Sequence, residues 1–394
     1  MDGSPLHGVR VLELARILAG PWAGQVLADL GADVIKVESP DGDDTRTWGP
    51  PFVENADGSN DAAYFHSTNR GKRSIAVDLA TTDGQERVRR LAAEADVLLE
   101  NFRVGGLAKF RLDYESLAAL NPRLVYCSIT GFGQNGPYAA RPGYDFVIQG
   151  MSGIMDLTGE PNGEPQKIGV AFADIFTGLY SVIAIQAALR YREETGRGQH
   201  IDMALLDCMV GVLANQAQNF LSSGICPTRL GNRHPNIAPY ETFPTSDGWL
   251  ILAVGNDRQF ERCCDVLGME NLRNDPRYRN NELRVSNRES LSEQVAAQTR
   301  RRERDDLLSA FERAGVPAGP INTVEQALAD PQVRHRRMVL SMPEDPNEAA
   351  IPGIRTPIRF SATRLTTDEA APRLGSSEGE WHRRQGSSDR GNEG

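Results

Sequence analysis

One carboxylate stands where covalent chemistry could take place. Asp174 ends the apolar segment GVAFA at 169–173 and precedes a pattern that predicts a long helix over 177–194. Backbone N–H groups at a helix start favour an ionised carboxylate, and a carboxylate in an apolar setting can attack an activated carbonyl. Aspartate is also a favoured N-terminal cap, and this role explains the residue without catalysis. The local pattern alone favours the cap.

A glycine run at 131–136, GFGQNG, matches the G-x-G-x-x-G pattern of dinucleotide-binding turns. That pattern binds a pyrophosphate only where a helix begins at the run, and Pro137, Pro142 and Gly143 would break such a helix. The first β-α turn, at 15–21, has no glycine fingerprint. We therefore interpret the run as a turn over a bound ligand and expect no NAD.

The elements that must position these residues alternate between apolar strands and amphipathic helices. The pattern predicts strands at 8–14, 33–37, 74–79, 97–101 and 124–129, and helices at 21–30, 83–95, 114–120, 177–194 and 203–221. Short helices between apolar strands indicate a parallel sheet. The sequence thus predicts an α/β fold with a large, Rossmann-like, doubly wound domain.

The chain of 394 residues is too long for one ordinary core, so two domains are expected. Strand-like segments at 240–243 and 249–254 precede short charged helices and indicate a second domain. We expect four parts: a large domain over 1–224, a small α+β domain over 225–325, a return to the large domain over 326–374, and a disordered tail over 375–394.

Composition and charge argue against several functions. The net charge of −10 disfavours a general nucleic-acid binder, and the arginine-rich run 300–304, within the strongly charged segment 291–314, fits a solvated helix face better than a nucleic-acid patch. No apolar run has the length that spans a bilayer, and residues 1–7 lack a signal-peptide pattern. Five cysteines without a C-x-x-C pair fit a reducing cytosol. We expect a cytoplasmic protein without a metal, membrane or nucleic-acid partner.

Several motifs together resemble the family III CoA-transferases, the group of formyl-CoA transferase, carnitine CoA-transferase and alpha-methylacyl-CoA racemase. They are LAGP (18–21), LGADVIKVE (30–38), GDDTR (42–46), NRGKRS (69–74), ENF (100–102), GYD (143–145), ADIFTGL (173–179), GRGQHID (196–202) and GVPAGP (315–320). Each is weak alone, but their order and spacing are specific and cover the chain to about residue 374.

The resemblance implies that Asp174 is a nucleophile. In the family, the matching aspartate attacks an acyl-CoA thioester and gives a mixed anhydride and CoA thiolate. The thiolate then attacks the aspartyl carbonyl to give an aspartyl-CoA thioester, and an acceptor carboxylate reverses the sequence. One thioester replaces another, so no ATP is required. Charge that develops on the carbonyl needs fixed N–H donors, which glycine-rich loops can supply.

The resemblance also implies how CoA binds as a substrate to the large domain. The matching positions are Leu18, Ala19, Asn101, Phe102, Arg103, Lys109, Tyr144 and Asp145. The basic residues Arg70, Lys72 and Arg73 lie near them in sequence and are predicted phosphate contacts, although a solvated strand entrance explains them equally well. Formyl-CoA transferase has a glutamine at position 18, so Leu18 argues against formate-like or oxalate-like substrates.

Three segments of the chain resemble one branch of the family, which acts on succinate, hydroxymethylglutarate and glutarate. These segments are 43–52, 126–134 and 239–240. A dicarboxylate substrate is therefore expected, with Trp48 at the acyl pocket. A buried distal carboxylate needs a partner, and we hypothesise that Arg46 or Arg233 supplies it.

Two other functions are compatible with the same fold. Racemase relatives carry a histidine where this chain has Tyr144, and tyrosine, with an unperturbed pKa of about 10, is a poor second base. His66 and His234 are the nearest alternatives, and lone histidines are more often structural. The other rival is a non-catalytic acyl-CoA-binding protein, against which Asp174 and its glycine neighbours argue.

Family members form interlocked homodimers. The resemblance implies the same assembly here, with the active site between the large domain of one chain and the small domain of the other.

Overall fold

The computed structural model describes residues 3–55, 57–342, 350–367, 369–377 and 380–381. These residues form two compact units: the first contains residues up to 154, 167–221 and those from 331 onward, and the second contains 155–166 and 222–330. The segment 155–166 belongs to the second unit, whereas the sequence prediction placed it in the large domain.

The strands are short, and they lie in the following order along the chain. They are β1 (Arg10–Glu13), β2 (Asp33–Glu38), β3 (Phe52–Glu54), β4 (Asn60–Ala62), β5 (Arg73–Ala76), β6 (Val97–Glu100), β7 (Val125–Thr130), β8 (His200–Ala204), β9 (Tyr240–Pro244), β10 (Trp249–Ala253), β11 (Ala318–Pro320), β12 (Val339–Met342) and β13 (Ile351–Ile354).

The helices vary more in length. They are α1 (Ala19–Asp29), α2 (Ala63–His66), α3 (Thr82–Glu94), α4 (Tyr114–Leu120), α5 (Asp145–Met151), α6 (Ile154–Leu157), α7 (Phe172–Thr195), α8 (Leu205–Gly211), α9 (Ala214–Ser223), α10 (Asp257–Leu267), α11 (Glu270–Arg273), α12 (Asn281–Ser286), α13 (Arg288–Thr299), α14 (Arg304–Ala314), α15 (Val324–Ala329) and α16 (Pro331–His335).

A parallel sheet with the strand order β5-β2-β1-β6-β7-β8 forms the centre of the first unit. The prediction of a doubly wound α/β domain is confirmed. The direction of strand addition reverses between β1 and β6, and ligands of such sheets bind at the carboxyl ends of the strands at this point. The topology alone therefore locates a ligand site next to the turns that follow β1 and β6.

The sixth strand, β8, is absent from the sequence prediction, which began a helix at Met203. In the structure Met203 pairs with Ile129 of β7, and the helix begins at Leu205. The apolar run after Asp202 has no glycine or proline to separate strand from helix, so the pattern alone places the boundary too early.

Helices α1 and α7 pack on one face of this sheet and share an apolar core with β1, β6 and β7. They can approach closely at Gly178, where a Cβ atom would lie 2.7 Å from the carbonyl oxygen of Ala19. Helix α7 begins at Phe172, so Asp174 lies inside its first turn rather than before it.

By length and composition, α7 also meets the criterion for a membrane-spanning helix, which the sequence prediction overlooked. Core helices of water-soluble proteins meet this criterion too, and Val182, Ile185 and Leu189 of α7 belong to the apolar core.

The second unit has a three-stranded antiparallel sheet with the order β11-β10-β9. Its core contains Phe243, Leu250, Phe260 and Phe311. The strongly charged segment 291–314 forms parts of two helices, α13 and α14, and most of the arginine-rich run that was predicted as a solvated helix face lies between them, at 300–303.

The first described residues of the predicted disordered tail pack on the first unit. The backbone N–H of Gly375 donates to Ser74 Oγ at 3.1 Å, and the indole N–H of Trp381 donates to the carbonyl of Leu91 at 3.2 Å. The large Trp381 ring is partly buried against the core of the unit, which explains why this segment is held. Residues 378–379 and 382–394 lie outside the described residues.

Candidate active site

A cavity of about 650 Å³ opens at the carboxyl ends of the parallel strands, where the topology locates a ligand site. Its walls come from the turns after β1, β2, β6, β7 and β8. Eight residues predicted to contact CoA line it together with Asp174: Leu18, Ala19, Asn101, Phe102, Arg103, Lys109, Tyr144 and Asp145. The structure thus brings together residues that lie up to about 150 positions apart in the sequence.

Asp145, rather than Asp174, caps helix α7. Its Oδ1 accepts the backbone N–H of Ala173 at 2.8 Å and of Asp174 at 3.4 Å, and its Oδ2 accepts from Gln149 Nε2 at 2.8 Å. The cap predicted for Asp174 therefore comes from another part of the chain, and the Asp174 carboxylate remains available for another role.

The environment of the Asp174 carboxyl group favours its protonated form more than water does. Burial, and next the negative charge of Asp145, raise the pKa of Asp174 to about 7. A carboxylate with a raised pKa is a stronger nucleophile than an ordinary one, and perturbed groups in a cavity are typical of catalytic sites.

Two turns next to this carboxylate are joined by a pair of hydrogen bonds. Asn101 Oδ1 accepts the backbone N–H of Arg16 at 2.9 Å, and Asn101 Nδ2 donates to the carbonyl of Arg16 at 2.7 Å. The next residue, Ile17, has φ 71°, a conformation that costs a β-branched residue about 1–2 kcal/mol. Asp43 Oδ2 accepts the Ile17 N–H at 3.2 Å and helps to hold the strained turn at the cavity.

A buried network of charges lies beneath the same turn. Lys36 Nζ is 2.9 Å from Asp43 Oδ2 and 3.2 Å from Glu13 Oε1, and Lys72 Nζ is 2.8 Å from Glu13 Oε2. Although burial alone would raise it, the ammonium of Lys36 holds the pKa of Asp43 at about 2. Burial lowers the pKa of Lys72 to about 8, against the attraction of Glu13. The network fixes the turn from below.

The predicted phosphate contacts Arg70, Lys72 and Arg73 do not line the cavity. Arg70 Nη2 is 2.5 Å from Asp29 Oδ2, and Arg73 Nη2 is 2.5 Å from Asp33 Oδ1. All three side chains are engaged in internal ion pairs, because a cation that loses water on burial needs a carboxylate partner. They hold the sheet and its helices together instead of facing a ligand.

Arg46 also has internal partners instead of a substrate carboxylate. It is 6% exposed, forms a two-pronged pair with Glu38 at 2.8 Å for both contacts, and lies 2.7 Å from Asp61 Oδ2. With two carboxylates bound, its guanidinium has no charge left to neutralise a third. The predicted role of Arg46 at the distal carboxylate is therefore corrected.

The predicted role of Arg233 as the partner of the distal carboxylate is corrected for the same reason. It belongs to the second unit, where its Nε lies 3.2 Å from Glu241 Oε2 and its Nη1 lies 2.5 Å from Glu289 Oε1.

Trp48 is 45% exposed and does not line the cavity, but its ring meets that of Tyr64 edge-on at 5.4 Å. Burial, and then the charges of Asp174 and Asp145, raise the pKa of Tyr64. Tyr64 therefore lies near the two carboxylates and connects Trp48 to them. Sequence reasoning missed Tyr64. Its place in the segment NDAAYFH (60–66) is the only signal in the sequence, and that segment matches none of the motifs that indicated the site.

Glu100 is also a residue to which sequence reasoning gave no role of its own, since it appeared there only as part of the ENF motif. Burial raises its pKa to about 7, while hydrogen bonds from Ser128 and from the backbone N–H of Phe102, at 2.7 Å, act in the opposite direction. It borders a separate cavity of about 210 Å³, in which Ser128 Oγ lies 2.9 Å from His200 Nε2. Glu100 thus supports the loop that carries Asn101, Phe102 and Arg103.

The glycine run at 131–136 forms an irregular loop, and the next helix along the chain, α5, starts only at Asp145. Gly131 and Gly143 are in contact, because a Cβ atom on Gly131 would lie 2.6 Å from the Cα of Gly143. The loop therefore closes on itself above β7. His66 and His234, considered as second bases, do not line the cavity, and no cluster of metal ligands is found within the described ranges.

Comparison with known proteins agrees with this geometry. The model of CoA-transferase family III matches residues 6–378. A succinate–glutarate CoA-transferase of Agrobacterium fabrum is 60% identical over 373 residues, which cover 94% of this chain and 93% of that protein. A succinyl-CoA:glutarate CoA-transferase of Homo sapiens is 42% identical over 372 residues, which cover 94% of this chain and 84% of that protein.

A solved structure shows the same fold. The crystal structure of a CAIB/BAIF family protein from Brucella suis is 62% identical and superposes with a TM-score of 0.85 over 95% of this chain and 97% of that chain.

Proposed function

The chain belongs to CoA-transferase family III, and from that premise we propose that it moves CoA from succinyl-CoA or a similar acyl-CoA to a dicarboxylate such as glutarate, with Asp174 as the covalent carrier. The observation that carries the proposal is the position of the Asp174 carboxyl group, which has a pKa of about 7 and lies in a cavity lined by eight predicted CoA contacts. The activities for which the two CoA-transferase relatives are named support the substrate class.

The reaction has four balanced substitutions. An Asp174 oxygen attacks the thioester carbonyl, the C–S bond breaks, and a mixed anhydride and CoA thiolate result. The thiolate attacks the aspartyl carbonyl, the anhydride C–O bond breaks, and the first acid leaves as its carboxylate. The acceptor carboxylate attacks the aspartyl thioester and releases thiolate, which attacks the acyl carbonyl of the new anhydride. The second acyl-CoA forms, and the Asp174 carboxylate is regenerated.

The raised pKa suits both halves of this cycle. Asp174 must act as a nucleophile in one step and as a leaving group in another. A carboxylate with a pKa near neutrality combines useful basicity with an ionised population at physiological pH. The Asp145 cap keeps the first turn of α7 in place while its neighbour changes from carboxylate to anhydride and thioester.

We also propose that the protein is a homodimer in the cytoplasm. Large apolar side chains remain exposed on the outer faces of α5 and α7, including Phe146 at 58% and Ile183 at 62%. A helix with apolar residues on all sides is normally covered on all sides, so a second copy is expected to cover α7. Light scattering after size exclusion should give twice the chain mass of 43.2 kDa.

The function is tested by incubating the purified protein with succinyl-CoA and glutarate and following both CoA esters by mass spectrometry. Hydroxylamine should attack the activated carbonyl of Asp174, release CoA or the first acid, and leave a hydroxamate on the peptide that contains this residue. The Asp174→Asn variant should lose transfer and trapping. Transfer at an undiminished rate by folded, undeamidated Asp174→Asn would exclude the covalent route. Deuterium incorporation at the α-carbon without CoA exchange would favour a racemase, and neither activity would favour an acyl-CoA-binding protein.

A further inference from the structure

Four cationic side chains line the cavity of about 650 Å³, and they are not equivalent. Arg16 is within 3.3 Å of Asp44, so its charge is partly satisfied. Arg103 and Lys109 lie on the loop that follows β6, with Lys109 over the ring of Phe110 at 4.6 Å. Arg141 is the only one on the loop between β7 and α5.

Arg141 is held in place without being neutralised. Its guanidinium lies over the ring of Tyr138 at 4.5 Å and over that of Phe132 at 5.5 Å. No carboxylate of the described residues pairs with it within 4.0 Å. An aromatic support restricts an arginine side chain but leaves its N–H groups and its charge available to an anion.

The loop that carries Arg141 ends at Asp145, whose carboxylate accepts backbone N–H groups at the proposed nucleophile Asp174. Contact between Gly131 and Gly143 closes it, and Asp145 at its end accepts the backbone N–H groups of Ala173 and Asp174. Only three residues lie between this arginine and Asp145, and the four-position step spans at most about 14 Å even when extended. Arg141 thus lines the same cavity as Asp174, on the loop that leads directly to the residue capping the first turn of α7.

We propose that Arg141 binds the distal carboxylate of the dicarboxylic acyl group and thereby selects dicarboxylic over monocarboxylic substrates. The inference rests on the proposed function, which it deepens by naming the residue responsible for substrate class. It gives the distal carboxylate a partner in place of Arg46 and Arg233, whose guanidinium groups are bound to internal carboxylates.

The chemistry favours arginine for this role. Its planar guanidinium can donate two parallel N–H bonds to one carboxylate, which fixes the orientation of the acyl chain as well as its charge. The thioester carbonyl is then held at a defined distance from Arg141, and this positioning is lost by an acyl group that ends in methyl. Discrimination by a missing charged partner is stronger than discrimination by one methylene.

The alternative is that Arg141 contacts a phosphate of CoA. Every substrate carries those phosphates, whereas only dicarboxylic substrates carry a distal carboxylate. The two roles therefore predict different patterns of loss, which a matched pair of substrates can separate: succinyl-CoA with glutarate, and butyryl-CoA with valerate.

The test compares wild type with Arg141→Gln, Arg141→Lys and the control Arg103→Gln on both substrate pairs. We expect Arg141→Gln to lower kcat/KM for the dicarboxylic pair about 10- to 100-fold and to leave the monocarboxylic pair within about twofold. Arg141→Lys should restore part of the selectivity, because it keeps the charge but not the two-pronged geometry. Arg103→Gln should lower both pairs by a similar factor.

Equal losses on both pairs in Arg141→Gln, or unchanged selectivity in that variant, would overturn the role of Arg141. Wild-type protein assayed in parallel separates the two proposals. If wild type transfers CoA but selectivity does not depend on Arg141, only this inference fails. If wild type transfers no CoA between any of these acids, both fail.

Discussion

The carboxylate of Asp145 accepts the backbone N–H of Asp174, with 3.4 Å between Oδ1 and N, so two carboxylates share the first turn of α7. Both line the cavity, and Asp145 in addition stabilises the turn by accepting the backbone N–H of Ala173. Their proximity has an electrostatic consequence, because the charge of Asp145 adds to burial in raising the pKa of Asp174 to about 7.

Activity should therefore depend on pH in a predictable direction. In the proposed mechanism the ionised form of Asp174 attacks the thioester, so kcat/KM should rise with pH, with its midpoint near the Asp174 pKa of about 7. Replacing Asp145 with asparagine keeps an oxygen for the Ala173 N–H but removes the charge. The midpoint in Asp145→Asn should therefore move to lower pH.

The measurement is a pH profile of kcat/KM for succinyl-CoA at saturating glutarate. Asp83→Asn, which removes an exposed carboxylate from the first turn of α3, provides the control and should keep the wild-type midpoint. A midpoint in Asp145→Asn that equals or exceeds that of wild type would show that the charge of Asp145 does not act on Asp174.

Much of the fold follows from the sequence because its signal is local. Strands such as β1, β2 and β6 are short apolar runs between helices, and the sheet they form has the expected parallel order. The ends of strands and helices are harder to predict from the sequence where they depend on contacts with distant residues. β8 is recognisable as a strand only because it pairs with β7, and the start of α7 depends on a cap supplied by Asp145.

The site shows the same division. The residues after β1 and β6 lie in turns whose position follows from the topology, and Asp174 was indicated by the motif around it. Basic side chains near them in sequence are a poorer guide, since Arg70 and Arg73 face Asp29 and Asp33 through contacts that span about 40 positions. Tyr64 could not be found because its proximity to Asp174 is visible only after folding.

Asn101 provides a second prediction. Its side chain joins the turn that follows β6 to the turn that follows β1. Asn101→Ala removes both hydrogen bonds to Arg16. Two such bonds are together worth about 1–3 kcal/mol, so we expect KM for acyl-CoA to rise roughly 5- to 100-fold as the turns predicted to bind CoA lose their alignment.

Asn121→Ala is the matched control. Asn121 also makes two hydrogen bonds to the main chain, to the carbonyls of Ala92 and Ala95 at 3.1 and 2.9 Å, but it does not line the cavity. Both variants should lose thermal stability, and only Asn101→Ala should lose affinity for acyl-CoA. Equal KM values in the two variants would show that the link between the turns does not serve binding.

Glu100 gives a prediction about stability rather than rate. Burial raises the pKa of Glu100 from 4.5 to about 7, so between these values the folded state holds a proton that the unfolded state has lost. By linkage, the free energy of unfolding then decreases as pH rises through this window. Glu100→Gln cannot ionise, but its side-chain oxygen can still accept the Phe102 N–H. The variant should therefore be more stable than wild type at pH 8, by about 1–3 kcal/mol, and nearly equal to it at pH 4.5.

Urea unfolding at several pH values measures this difference, with Glu193→Gln as the control because Glu193 is exposed on α7. The comparison isolates Glu100, since Asp174 contributes the same sign of pH dependence to wild type and to both variants. A stability gain that is the same at pH 4.5 and pH 8 would mean that the gain does not come from ionisation. In that case the loop after β6 would be supported by the hydrogen bond to Phe102 alone, and the buried charge of Glu100 would play no part in it.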